Sequence, residues 1–357
     1  MVRPISAPVH VVQSLTRLHR AARAEDWFHR LRARWGRRRG LVPGVVPFTG
    51  YGSTEWVRVL CRIQLGHKDA AHRTPLVGRR GWRSFTGIQV GNARVTVTAG
   101  GTRHEVLADR GGVVDLRVEV SLTPGWHDIL ISVEGSQPVV APIFIVDPEV
   151  RFGLVSDIDD TVMVTALPRP FLAAWNTFVL DEHARRPVPG MAVLYERVMR
   201  THQGAPVIYL STGAWNVAPT LTRFLERNLY PQGALLLTDW GPTHDRWFRS
   251  GREHKRIALE RLAADFPQLR WLLVGDDGQH DETLYSDFAH AHPENVVGVA
   301  IRQLSTSEAV LAGGRSKAGP EAPAEIEWYY APDGARLSTQ FSATGVLPAG
   351  YSDRYKS

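Results

Sequence analysis

Leu154-Val155-Ser156-Asp157-Ile158-Asp159-Asp160-Thr161 runs from an apolar strand straight into three carboxylates and a threonine. A buried strand seldom ends in acids that have no charge to hold, because an unpaired buried carboxylate is costly. Alone, the stretch reads equally well as a helix N-cap with an acidic first turn. Two later runs weigh against that reading. Val207-Ile208-Tyr209-Leu210 ends in Ser211, Thr212 and Gly213, and Trp271-Leu272-Leu273-Val274 ends in Gly275-Asp276-Asp277-Gly278-Gln279-His280-Asp281. Between them, Glu253-His254-Lys255-Arg256 opens a helical pattern of Ile257, Leu259, Leu262, Ala263 and Phe266. Alternating strands and helices predict a parallel α/β sheet. Such sheets take their ligands at the carboxyl ends of the strands, where these polar residues fall.

The chemistry follows from the residue types. Asp157 and Asp159 are two apart and share a face of the strand end. With Asp276 they make a hard oxygen site of the kind Mg²⁺ prefers. A carboxylate held there can attack phosphorus and form an aspartyl phosphate. A second carboxylate can protonate the leaving alkoxide and then activate water. Ser211 and Thr212, with the backbone N–H groups around Gly213, suit phosphate oxygens. Lys255 supplies positive charge to balance the carboxylates and the transferring group.

Asp-x-Asp-x-Thr, a strand-end Ser, a Lys and Gly-Asp-Asp-x-x-x-Asp, in that order, resemble the haloacid dehalogenase superfamily of aspartate-nucleophile phosphatases. The fuller set is Asp-Ile-Asp-Asp-Thr, Leu-Ser-Thr-Gly-Ala-Trp-Asn, Leu-Thr-Asp-Trp-Gly, His-Lys and Gly-Asp-Asp-Gly-Gln-His-Asp-Glu-x-x-Tyr. It resembles the actin-patch-type phosphatidate phosphatases, bacterial members included, over about residues 150–304. An upstream β segment extends the similarity more loosely from about residue 45. The resemblance implies hydrolysis of phosphatidate to diacylglycerol with Mg²⁺. It implies Asp157 as nucleophile and metal ligand, and Asp159 as acid/base that reaches the metal through its backbone carbonyl. It also implies Ser211 and Lys255 as phosphate contacts and Asp276 as a metal ligand. Asp277 stands where the family often has serine, so Asp277 and Asp281 both remain candidates for the second metal-side carboxylate. Ser-Thr-Gly-Ala-Trp replaces the family's usual Ser-Ser/Ala-Ser-Pro-Trp turn and keeps Ser211.

Charge is unevenly placed. The first 39 residues hold ten arginines against Glu25 and Asp26, a balance of +8, whereas the whole chain is +6. The remainder is therefore −2, and the basic character belongs to the N-terminal arm. Val11, Val12, Leu15, Leu18 and Ala22 share one helical face there, and Trp27, Phe28, Leu31 and Trp35 share another, with Asp26 as N-cap. Arginines beside aromatic residues suit an anionic membrane surface. They also suit nucleic acid, the less favoured partner. The alternative is a helix whose apolar face packs on the body.

Residues 45–148 alternate like strands, with Val57, Val59, Cys61 and Ile63 set against Arg58, Leu60 and Arg62. Frequent turns predict a β-sandwich-like domain there. The lone cysteine, Cys61, excludes an internal disulfide and reads as a small core residue. The expected organisation is a basic amphipathic arm at 1–44, the β domain at 45–148, an α/β haloacid dehalogenase-like domain at 149–304, and a linker and tail at 305–357. In the tail, Ile326, Trp328, Tyr329 and Tyr330 suggest an edge hairpin or a segment lying on the body. Between the first two motifs, Met163 to Arg186 carries Leu167, Phe171, Leu172, Trp175 and Phe178 and ends in Arg185 and Arg186, an apolar flap suited to acyl chains and a lipid headgroup or, equally, to packing as a connecting helix. Trp215, Trp240 and Trp247 read as core or rim residues of the site loops. No apolar run reaches the length of a membrane span. No signal-peptide pattern opens the chain, which suggests a cytoplasmic protein, peripheral on the inner membrane face if the arm binds lipid. A phosphatase for soluble or nucleic-acid phosphates and a non-catalytic β-domain binding protein stay open as alternatives. Oligomeric state is not legible.

Overall fold

The computed structural model describes residues 31–66, 88–164, 186–238, 247–278, 280–311, 314 and 325–348, without side chains at 247–250 and 311. The first part of the basic arm, the flap with Arg185, Trp240, the side chain of Trp247 and Gln279 lie outside the described residues. A helix over 31–38, α1, leads into strands β1 (Val42–Pro47), β2 (Gly50–Gly52), β3 (Trp56–Gly66) and β4 (Ile88–Gln89). Then come β5 (Arg94–Ala99), β6 (Thr102–Leu107), β7 (Val113–Glu119), β8 (Gly125–Val133) and β9 (Val139–Ile145). Hydrogen bonds join these strands into one nine-stranded sheet in the order β1-β3-β2-β9-β8-β5-β6, with β4 and β7 on the free side of β3. Where a sandwich was expected, the strands form a single hydrogen-bonded network in which the three-residue strand β2 bridges β3 and β9.

Val57, Val59, Cys61 and Ile63 of β3 share one core with Ile129 and Ile131 of β8 and Ile143 of β9. Strands so far apart in the order meet only if the sheet folds over on itself. The other face of β3 turns elsewhere. Trp56 and Leu60 join the core of the C-terminal half, together with Phe48 and Tyr51.

That half is built on β10 (Phe152–Asp157), β13 (Val207–Ala214), β14 (Ala234–Thr238), β15 (Arg270–Asp276), β16 (Val296–Arg302) and β17 (Glu327–Ala331), all parallel, in the order β14-β13-β10-β15-β16-β17. Between β10 and β13 lies a two-stranded ribbon of β11 (Met163–Val164) and β12 (Arg186–Pro187). The helices are α2 (Met191–Thr201), α3 (Ala218–Arg227), α4 (Trp247–Asp265), α5 (Asp281–Ala291), α6 (Thr306–Leu311) and α7 (Gly334–Thr344). Helices cover both faces of such a sheet, so its strands read as unbroken apolar runs; β10 and β14 are buried at every residue. The chain starts in the middle at β10, builds outwards through β13 and β14, then returns to build the other side from β15. This reversal opens a crevice at the carboxyl ends of β10 and β15.

Within the stretch read as linker and tail, residues 306–311 form a helix and residues 327–344 hold a strand and a helix. Ile326 is buried, and Trp328 to Tyr330 form a sixth parallel strand on β16 rather than a hairpin. Leu337 and Phe341 of α7 are fully buried in the same core as the catalytic strands. Burial alternates along this strand, which is covered on one face only, and the run Trp328-Tyr329-Tyr330 does not show that alternation in its residue types.

Candidate active site

Asp157 ends β10 and is 2% exposed. Its Oδ1 lies 2.6 Å from Lys255 Nζ, and its Oδ2 accepts a 3.3 Å hydrogen bond from the Thr161 hydroxyl. Lys255 also meets Asp281 Oδ1 at 2.7 Å. Lys255 comes from α4, whose buried face carries Lys255, Ala258, Leu259, Leu262 and Ala263. Ile257, expected on that face, is exposed, because it lies about 200° around the helix from Lys255 at roughly 100° per residue. A lysine on the apolar stripe is thereby aimed at the strand ends.

Asp276 ends β15 and accepts a 2.7 Å bond from the Gly278 backbone N–H. Carboxylate oxygens of Asp157, Asp276 and Asp281 lie within 4.8 Å of one another, and all three residues are buried. Gly275 makes room for this trio. A Cβ there would fall 2.7 Å from Asp281 Oδ2 and 2.8 Å from its Cβ. Asp277 turns away, its Oδ1 accepting from the Leu304 N–H at 2.8 Å. Of the two candidates for the second metal-side carboxylate, Asp281 is the one that stands with Asp157 and Asp276.

Asp159 does not join the trio through its carboxylate. It lies in the turn after β10, where its Oδ2 accepts a 3.1 Å bond from Ser211 Oγ. Ser211 is fully buried within β13, where the pairing with β14 becomes irregular after Leu210, and its Oγ accepts from the Gly213 N–H at 3.0 Å. Thr212 is exposed on the same strand, and the Thr238 hydroxyl ties down the carbonyls of Thr212 and Gly213. Arg186 is exposed on β12, paired with Val164 just beyond the Asp159 turn. Trp215 is buried and stacks on Phe48 at 4.8 Å, so it belongs to the core.

Burial pushes the Asp159 carboxyl up to about 7, helped by the charge of Asp160 and opposed by Lys255 and the Ser211 hydrogen bond. A carboxyl near neutrality can both give and take a proton. Burial also raises Asp157 and Asp276, and each is raised further by Asp281. Lys255 goes the other way from a buried amine. Burial lowers its affinity for a proton, but Asp157 and Asp281 outweigh this and hold it charged.

Arg302 escaped the sequence reading. It ends β16 and is 5% exposed. Its Nη1 donates to the Asp160 carbonyl at 2.7 Å and its Nη2 meets Glu308 at 2.7 Å. Asp160 has a positive φ of 59°. An arginine closing an apolar strand was the available signal.

Residues 152–303 match the family model described as the catalytic domain of phosphatidate phosphatase APP1. This segment is similar to a phosphatase catalytic domain. Phosphatidate phosphatase APP1 of Saccharomyces cerevisiae is 24% identical over 207 residues, which cover 56% of this chain and 34% of that protein. An uncharacterized protein of Schizosaccharomyces pombe is 26% identical over 153 residues, 43% of this chain and 25% of that protein. The chain thus spans a quarter to a third of the length of these relatives. A carbohydrate acetylesterase from Xanthomonas citri superposes with a TM-score of 0.28 and 11% identity over 76% of this chain and 73% of that one, too slight a likeness to bear on fold or function. Asp157, Asp159, Ser211, Lys255, Asp276 and Asp281 all fall within the matched segment.

Proposed function

We propose that the protein is a Mg²⁺-dependent phosphatidate phosphatase of the haloacid dehalogenase type, with Asp157 as nucleophile. The observation that carries this reading is the meeting of Asp157, Asp276, Asp281 and Lys255 at one sheet edge, with the Asp159–Ser211 pair beside them. The donor set fits Mg²⁺. It is all oxygen, and Asp281 Oδ2 is buried without a hydrogen-bond partner, ready for a cation. Asp157 and Asp276, with Asp281 beside them, would hold the ion, which would offset the negative charge of the phosphoryl group.

The protein groups then divide the work. Asp157 forms an O–P bond as the P–O bond to the glycerol oxygen breaks, and Asp159 gives its proton to the departing alkoxide. Water then attacks phosphorus, Asp159 takes the proton released, and the bond to Asp157 breaks, yielding phosphate. Ser211 and Thr212, near the end of β13, hold the non-bridging oxygens. Lys255 keeps the attacking carboxylate oriented and its charge balanced. Arg186, exposed beyond the Asp159 turn, is placed for a lipid headgroup; Arg185 lies outside the described residues.

The test is phosphate release with Mg²⁺, and in excess EDTA, from micellar phosphatidate, lysophosphatidate, nucleotides, phosphopeptides and a small aryl phosphate. Phosphatidate is expected to be the best substrate, and Arg186→Ala to lower its turnover more than that of the aryl phosphate. Preference for a nucleotide or phosphopeptide would reject the lipid substrate and leave the phosphatase. Undiminished release in EDTA would reject the metal.

A further inference from the structure

We infer that α1 is a docking surface for an anionic lipid bilayer. The sequence allows three uses for the basic arm: a membrane surface, nucleic acid, or a face packed on the body. The structure separates them residue by residue. Ala33 and Gly36 face the β core, and Gly36 is buried. A Cβ at Gly36 would fall 2.9 Å from both Leu65 and Ile88, so the helix seats by its backbone. The large apolar residues point the other way. Leu31 and Trp35, one turn apart, are 48% and 51% exposed.

Arginine surrounds this apolar pair. Arg32, Arg34, Arg37, Arg38 and Arg39 are all exposed. The Arg39 guanidinium lies 3.4 Å over the Trp35 ring, so the indole is presented with a cation on its face. Apolar side chains within a cationic rim match the boundary between acyl chains and anionic headgroups. A nucleic acid would engage the arginines and leave Leu31 without an apolar partner.

The helix also stands at the appropriate pole. Arg58 of β3 meets Asp265 at the far end of α4, at 3.5 Å. Asp115, opposite Leu60, meets Arg261, one turn nearer Lys255. Trp56 packs on Phe266 after α4, whereas Phe48, bonded to Leu60, stacks on Trp215 just past β13, so β3 runs towards the carboxyl ends of the parallel strands and its last residues, beside Leu65, carry α1 at that end. The docking rests on the lipid reading for its purpose and not for its existence.

Co-sedimentation of the full chain with phosphatidylcholine vesicles, with and without phosphatidylglycerol, tests it. The wild-type protein is expected to sediment with the anionic vesicles and to be released by salt. Leu31→Ser with Trp35→Ser should lower the vesicle affinity about tenfold or more, as should Arg34→Glu with Arg37→Glu and Arg38→Glu. Circular dichroism and aryl phosphate hydrolysis should not change, since these side chains are exposed. Undiminished vesicle binding by both variants overturns the inference. So does wild-type protein that ignores anionic vesicles but shifts a duplex RNA. Vesicle binding without any phosphatase activity would reject the catalytic reading and leave the docking surface standing.

Discussion

Arg302 donates to the Asp160 carbonyl over 2.7 Å, so the last residue of β16 holds the turn that carries Asp159. Glu308 grips the same guanidinium from α6. Arg302→Met should leave Glu308 without its partner and free the turn. Glu308 is only half-buried, so losing this pair should cost about 1–3 kcal/mol. A displacement of about 1 Å at the reacting groups costs on the order of 100-fold in rate. Thermal unfolding and steady-state kinetics would measure both; wild-type kcat in a folded variant would show that the turn holds without Arg302.

Asp157→Asn removes the attacking oxygen and keeps the shape. Turnover should fall by about four orders of magnitude or more, by analogy with loss of other nucleophiles. The fold should survive, because Lys255 retains Asp281 at 2.7 Å. Phosphate release together with a circular dichroism melt would check this. Substantial activity in the folded variant would exclude Asp157 as nucleophile.

The two acids near Asp276 should part company when changed. Asp281→Asn should weaken Mg²⁺ binding at least about tenfold, a typical size for loss of a close metal-site group. Asp277→Ala should leave Mg²⁺ affinity nearly intact but cost about 1–3 kcal/mol of stability, because the Leu304 N–H loses its acceptor. Isothermal titration with Mg²⁺ and a denaturant melt distinguish the pair. Reversed outcomes would put Asp277 at the metal.

Asp115 accepts from Arg58 at 2.8 Å and from Arg261 at 2.9 Å, joining the β sheet to α4. Burial raises its pKa, but the two arginines outweigh burial and hold the carboxyl below its ordinary range. A depressed carboxylate pKa stabilises the fold above the unfolded value of about 3.9, and this is lost as pH falls through the folded value. Asp115→Asn should therefore be less stable than wild type by about 1–2 kcal/mol near neutral pH, with the gap closing below about pH 4. Melts from pH 3 to 7, on the order of one unit apart, would follow it. A gap independent of pH would mean that packing alone sets the effect.

The parallel sheet was legible because both of its faces are covered, so β10, β13 and β15 appear as apolar runs with their chemistry at one end. Asp157, Asp276 and Lys255 could be read for the same reason. The choice between Asp277 and Asp281 could not, because it depends on the space left by Gly275 and on the direction in which the following loop turns. Arg302 was illegible because its partner is a backbone carbonyl far away in sequence. β17 was missed because only one of its faces is packed. Ile257 was misplaced because its apolar character outweighed its angular position around the helix.

β3 forms a wall common to two cores. Val57, Val59, Cys61 and Ile63 line one, and Trp56 and Leu60 enter the other beside Phe266 and the catalytic strands. Trp56 and Phe266 pack at 5.3 Å between ring centres, and Tyr51 and Phe266 at 5.9 Å. The N-terminal sheet is thus no cargo tethered to an independent enzyme. Melting it would strip one side of the helix that bears Lys255, so the loss of either half should be felt by the other as a single cooperative event.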